Sequence, residues 1–221
     1  DLIKVIKINK EKIEKYKKIK INNYKIINNA VSDQNSNLIF NIAKNPTVSS
    51  LKEFSKNIDK TWPGYRETHC TVVKKIEVKG ITLEKYCIDN EIKKINFLHI
   101  DTQGSDLQVL KGLKSKLDIV EKGVLEAAVN KENSLYENNH TINETEKYLI
   151  INNFEISKIE NLDKNIDKEK NIYFNKKNLY KNYKINTKYN IRYYKRIVSN
   201  KLNFKDKFFD KLKKLFFIKF H

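Results

Sequence analysis

Ile95-Asn96-Phe97-Leu98-His99-Ile100-Asp101-Thr102-Gln103-Gly104-Ser105-Asp106-Leu107-Gln108-Val109-Leu110-Lys111-Gly112-Leu113 is the stretch that decides the fold. Ile95 to Ile100 is a nearly continuous apolar run, the pattern of a strand buried on both faces of a parallel sheet. Asp101 to Asp106 is polar and contains a glycine, which predicts a sharp turn. A helix is then expected with Leu107, Val109, Leu110 and Leu113 on its buried side and Gly112 inside it. In open α/β sheets ligands bind at the carboxyl ends of the strands, so Asp101 stands where a functional carboxylate is expected. Asp106 falls in the first turn of the following helix, where a negative charge favours the dipole, and that position explains it structurally.

The same alternation extends outward in both directions. Leu2 to Ile8 reads as a strand and Lys10 to about Ile19 as a helix; Tyr24 to Val31 is a second strand ending at Ser32-Asp33. Leu38 to Ile42 and Thr71 to Val78 are strands joined by a polar loop with Pro46, Ser49, Ser50 and a Trp62-Pro63-Gly64 turn. Thr82 is the expected N-cap of a short helix. Gly123 to Val129 is an apolar strand carrying Glu126; Asn143 to Asn152 is helical, and Phe154 to Ile159 and Asn171 to Phe174 are strands. Strands alternating with helices predict a doubly wound, mostly parallel α/β sheet. From Lys176 the character changes to Lys, Asn and Tyr, and Phe204, Phe208, Leu212, Leu215 and Phe216 then recur at helical spacing. The expected division is a domain over 1–178 and a basic, aromatic-rich extension over 179–221 that ends in an amphipathic helix.

The chain has 221 residues and a formal net charge of +18, from 45 Lys and Arg against 27 Asp and Glu. The lysines are scattered among Asn and Ile rather than gathered beside aromatic stacking positions, so nucleic acid is not the expected partner. The C-terminal helix predicts packing on the domain or on a second copy of the chain, with peripheral membrane contact as the alternative. Cys70 and Cys87 show neither CxxC spacing nor a nearby His pair, which predicts a reducing, cytoplasmic setting. No apolar stretch approaches the roughly 18 residues that cross a bilayer. Asp101 and Asp106 alone supply too few oxygen ligands for a hard cation, and no metal site is expected. His69 and His140, in polar surroundings, are expected at the surface. Met is absent, position 1 included, which suggests a sequence that begins inside a longer reading frame.

The decisive stretch resembles the FkbM family of S-adenosylmethionine-dependent methyltransferases. Its members show a buried strand ending in Lys-Ile-Asp-x-x-Gly, then Glu or Asp, Leu, and a Val-Leu-x-Gly helix. Here His99-Ile100-Asp101-Thr102-Gln103-Gly104 is followed by Asp106-Leu107 and Val109-Leu110-Lys111-Gly112. Asn29-Ala30-Val31-Ser32-Asp33 is similar to the family's Ala-Val-Ser-Asp, Ser49-Ser50-Leu51 to its Ser-Ser-Leu loop, and Thr82-Leu83-Glu84-Lys85-Tyr86 to its Thr-Leu-Asp-x-Tyr. Val124-Leu125-Glu126 is similar to its next strand, and the resemblance runs from about Ile3 to Asn175.

The resemblance implies a class I methyltransferase, Rossmann-like sheet and transfer of a methyl group to a hydroxyl of a sugar or other small metabolite. Asp101 and His99 become the candidates for acceptor positioning or proton removal, with His99 in place of the family's Lys. Asn9, Ser32 and Asp33 are the implied cofactor contacts, and Gln103, Trp62 and Glu126 the implied acceptor contacts. Trp62 suits stacking on a sugar ring or plugging a sheet edge. The family's first strand and glycine-rich loop would precede Leu2, so the sheet is expected to lack that strand and the chain to be an N-terminally truncated copy. The competing expectations are a non-catalytic remnant that keeps the sheet for binding and a basic surface module built on 201–220.

Overall fold

A computed structural model describes residues 2–6, 27–163 and 166–177. Eight strands, four helices and several tight helical turns appear among them. The strands are β1 (Leu2–Ile6), β2 (Ala30–Ser32), β3 (Asn37–Ala43), β4 (Val72–Thr82), β5 (Phe97–Asp101), β6 (Lys122–Ala128), β7 (Phe154–Asp163) and β8 (Ile166–Lys176). The helices are α1 (Ile58–Thr61), α2 (Leu83–Asp89), α3 (Asp106–Lys111) and α4 (Ile142–Ile151). The helix expected over Lys10 to Ile19, the residue Asn9 and the amphipathic helix beyond 200 lie outside the described residues.

The main sheet has the order β1-β5-β6-β8-β7. β1 is parallel to β5 and β5 to β6, whereas β8 runs antiparallel to both β6 and β7. A second sheet, β2-β4-β3, joins β2 parallel and β3 antiparallel to β4. Parallel and antiparallel pairings are therefore equal in number among the described strands. This corrects the mostly parallel sheet expected: β7 and β8 follow one another through a short connection, which only an antiparallel hairpin allows. Leu2–Ile6 is hydrogen-bonded directly to β5, so no strand stands between them.

The core explains why the central strands are apolar. Leu98, Ile100, Leu125, Ala127, Ile172 and Phe174 share one face of the main sheet and bury it against Leu83 and Cys87 of α2, Leu107 and Leu110 of α3, and Leu149 of α4. Each Leu, Ile or Phe buried there contributes roughly 1.5–3 kcal/mol. The alternate residues, His99, Asp101, Val124, Glu126 and Glu169, point to the other face by the period-2 rule. All three longer helices join the same core cluster, so helices on both faces, the doubly wound arrangement expected, are not present among the described residues.

Local sequence sets the helix starts. Thr82, extended at φ −82°, ψ 148°, accepts the Lys85 N–H on its hydroxyl, as its spacing predicts. Thr141 and Glu144 form a reciprocal capping box that starts α4. The polar loop after β3 holds α1, and its Phe54, Ile58, Trp62 and Cys70 form a second apolar cluster with Ala43 of β3 and with Leu135 and Tyr136 of the loop after β6. No helix among the described residues is long and apolar enough to cross a membrane.

Candidate active site at the carboxyl end of β5

Asp101 ends β5, and the next four residues reverse the chain into α3. Gln103 (φ 56°) and Gly104 (φ 92°) both lie in the left-handed region, which glycine tolerates and a side chain resists. A Cβ on Gly104 would stand 2.7 Å from Cδ2 of Tyr136, so the ring of Tyr136 occupies the space that the missing side chain leaves. The turn is pinned from outside as well: the Ser50 hydroxyl donates to the Gln103 carbonyl at 2.6 Å.

Each carboxylate of the turn is held by one of its residues. Gln103 Nε2 donates to Asp101 Oδ1 at 2.9 Å. The Gln103 carbonyl end faces the Tyr136 hydroxyl at 3.0 Å, and that hydroxyl also stands 2.9 Å from the Val48 carbonyl. Asp106 Oδ1 accepts the Thr102 N–H at 2.8 Å and the Thr102 hydroxyl at 3.1 Å. Burial raises the Asp106 carboxyl to about 7 despite those bonds, and the Asp101 charge adds to the rise.

Two further carboxyls share the neighbourhood. Glu126 on β6 and Glu169 on β8 lie on one sheet face and within hydrogen-bonding reach of each other. Burial, then the Glu169 charge, pushes Glu126 well above the usual carboxylate range. Glu169 is raised by burial too, and Asp101 acts on it from the turn. Asp101 thus influences Asp106, Glu126 and Glu169, and the charges acting most on Glu126 are other carboxylates.

Of the residues singled out from sequence, the fold brings Asp101, Gln103 and Glu126 together. His99 is on the same strand face, two residues before Asp101, paired with Lys4 on one side and Val124 on the other. Trp62 is 7% exposed; its indole Nε1 donates to the Asn133 carbonyl at 2.9 Å, and Lys168 Nζ lies 4.4 Å from its ring. It joins the apolar cluster that holds Tyr136. Ser32 and Asp33 end β2, and Ser32 Oγ donates to Asp33 Oδ1 at 3.1 Å. They stand against the far end of α3, where a Cβ on Gly112 would meet the Ser32 carbonyl at 2.5 Å. One length of α3, about 9 Å at 1.5 Å per residue, separates them from the Asp101 turn.

Sequence reasoning missed Tyr136, Ser50 as an anchor, Glu169 and His140. His140 is 8% exposed, which corrects the surface position expected: its ring accepts the Leu107 N–H on Nε2 at 3.2 Å and fills the corner between β6 and α3. A polar sequence neighbourhood says little about burial when the loop folds back on its own domain. The apolar partners Leu135 and Tyr136 were the available signal that this loop turns inward.

Residues 3–156 match the family model described as Methyltransferase FkbM domain. No curated protein and no solved structure matches the chain.

Proposed function

The chain belongs to the FkbM methyltransferase family, and on that premise we propose that it transfers a methyl group from S-adenosylmethionine to a hydroxyl of a sugar or other small acceptor. The observation that carries this reading is the turn after β5, where Asp101 is oriented by Gln103 and Gln103 in turn by Tyr136. A side chain held at both ends is preorganised, and orientation of this kind is a large part of what accelerates a displacement.

Methyl transfer to a hydroxyl forms an O–C bond, breaks the S–C bond and releases the hydroxyl proton. S-adenosylmethionine, when bound, supplies the electrophilic methyl carbon on a cationic sulfonium. The site suits a cation, because Asp101, Glu126 and Glu169 converge and the charges that raise Glu126 are those of neighbouring carboxylates. Ser32 and Asp33, at the other end of α3, are the proposed contacts of the adenine side, and Asn9, outside the described residues, that of the ribose.

Asp101 keeps one carboxylate oxygen on Gln103 and has the other with which to accept the acceptor's proton. His99, on the same strand face, is the second group within reach of an acceptor laid along β5. Glu126 donates its proton to Glu169 and keeps a carboxyl oxygen with which to accept a hydrogen bond from an acceptor hydroxyl.

The test combines calorimetry with S-adenosylhomocysteine and transfer of labelled methyl groups to a panel of free sugars. The reading expects binding and transfer, with Asp101→Asn slowing transfer roughly 10²–10⁴-fold while leaving binding of S-adenosylhomocysteine in place. Absence of any binding would overturn the methyltransferase reading; transfer by Asp101→Asn at the wild-type rate would overturn the role of Asp101.

A further inference from the structure

A second concavity lies between α3 and α4, and the turn after β5 does not use it. It encloses about 450 Å³, with Leu107 and Lys111 from α3, Asn139 and His140 from the preceding loop, and Lys147 and Tyr148 from α4 among its walls. Lys131 and Glu144 complete the charged part of its rim. Glu144 is already committed: Oε2 accepts the Thr141 N–H at 2.8 Å, and Oε1 pairs with Lys131 at 2.9 Å. Lys111 and Lys147 have no carboxylate partner among the described residues; Lys111 Nζ instead lies 5.7 Å from the Tyr148 ring. The rim therefore carries uncompensated positive charge.

The floor adds a directed donor. Asn139 and His140 are 7% and 8% exposed. Asn139 Oδ1 accepts the His140 N–H at 2.8 Å, which leaves the two N–H groups of its Nδ2 without a partner among the described residues. Leu107 sits in the first turn of α3, where its N–H has no intrahelical acceptor, and it donates to His140 Nε2. A backbone N–H can only donate and a carbonyl can only accept, so Nε2 serves Leu107 in one ring tautomer and the Glu126 carbonyl in the other. The Glu126 carbonyl also approaches Nε2, at 3.1 Å. Burial keeps the ring neutral by pushing it down to about 4. Asn139 and His140 both line the cleft.

We propose that this cleft binds a phosphate group, either the free ion or the monoester of a small molecule, with Lys111 and Lys147 at the rim and Asn139 Nδ2 donating from the floor. Phosphate oxygens accept several hydrogen bonds and carry the charge that the rim leaves uncompensated. The site goes beyond methyl transfer and does not depend on it.

The test titrates the isotope-labelled full chain with inorganic phosphate and with ribose 5-phosphate at constant ionic strength, reading the Asn139 side-chain amide and the His140 ring by NMR. The site predicts saturable shifts at both residues, weakened at least tenfold by the surface double variant Lys111→Gln, Lys147→Gln. Asn139→Asp keeps the oxygen that caps His140 but turns the floor donor into an anion, and it abolishes binding while the amide spectrum elsewhere stays that of the folded chain. Tighter binding of ribose 5-phosphate assigns the site to a monoester, and equal binding assigns it to the free ion. Absence of saturable shifts, or shifts that survive both variants, overturns the proposal. Neither probe is a methyl donor, so this outcome is independent of the methyltransferase test.

Discussion

The hydroxyl of Tyr136 stands 3.0 Å from Oε1 of Gln103, 33 residues away in sequence, and so a residue of the loop after β6 fixes the amide that orients Asp101. The same ring fills the space beside Gly104, which couples the shape of the turn to the direction of its carboxylate. Tyr136→Phe keeps the ring and removes the hydroxyl. It is expected to cost about 1 kcal/mol of stability, read by urea unfolding, and to lower the rate of methyl transfer more than it weakens acceptor binding. An unchanged rate would show that Gln103 holds Asp101 unaided.

Asp106 ties stability to pH. Its carboxyl is raised from 3.8 to about 7 by burial, so the folded chain retains a proton that the unfolded chain has lost. Its contribution is complete below about pH 4 and is lost as pH rises through about 7, a span on the order of 4 kcal/mol. Asp106→Asn keeps an oxygen for the Thr102 N–H and removes the titration. Thermal melts from pH 4 to 8 should therefore show the variant gaining on the wild type as pH rises from 4 to 7, with the variant the more stable of the two above pH 7. A parallel pair of curves would place the titration elsewhere.

His140 acts with the opposite sign. Burial lowers its ring from 6.5 to about 4, so the unfolded chain binds the extra proton between those values. Its contribution is present above about pH 6.5 and is lost as pH falls toward 4. In the wild-type chain the His140 and Asp106 effects offset one another across that window. His140→Gln should unmask the Asp106 slope, giving stability that falls steadily from pH 4 to 7, and melts showing no such slope would contradict the assignment.

Gly104→Ala tests the turn itself. Alanine at φ 92° is strained, and its methyl would meet the Tyr136 ring at 2.7 Å. Strain and overpacking together predict a loss of roughly 2–4 kcal/mol by chemical denaturation. A loss below about 1 kcal/mol would mean that the turn relaxes freely.

Much of the candidate site was readable from one stretch because its determinants are local. The apolar run of β5, the acidic turn, the glycine and the apolar face of α3 fall within 19 residues, and the helix capped by Thr82 needs only three. Glu169 was not readable, because its approach to Glu126 depends on an antiparallel register between segments 43 residues apart. Ser32 and Asp33 carried a recognisable motif, yet β2 pairs with β4 rather than with the main sheet, which moves them to the far end of α3.

By itself, then, the sequence determined the kinds of elements, most of their positions, the turn that presents Asp101 and the family to which the chain belongs. These follow from periodicity, capping chemistry and backbone preference, which act over a few residues. Only the tertiary structure decided the equal mix of parallel and antiparallel strands, the gathering of Asp101, Asp106, Glu126 and Glu169, and the burial of His140. Those depend on register and on which polar groups are withdrawn from water, quantities that distant segments set jointly when they meet.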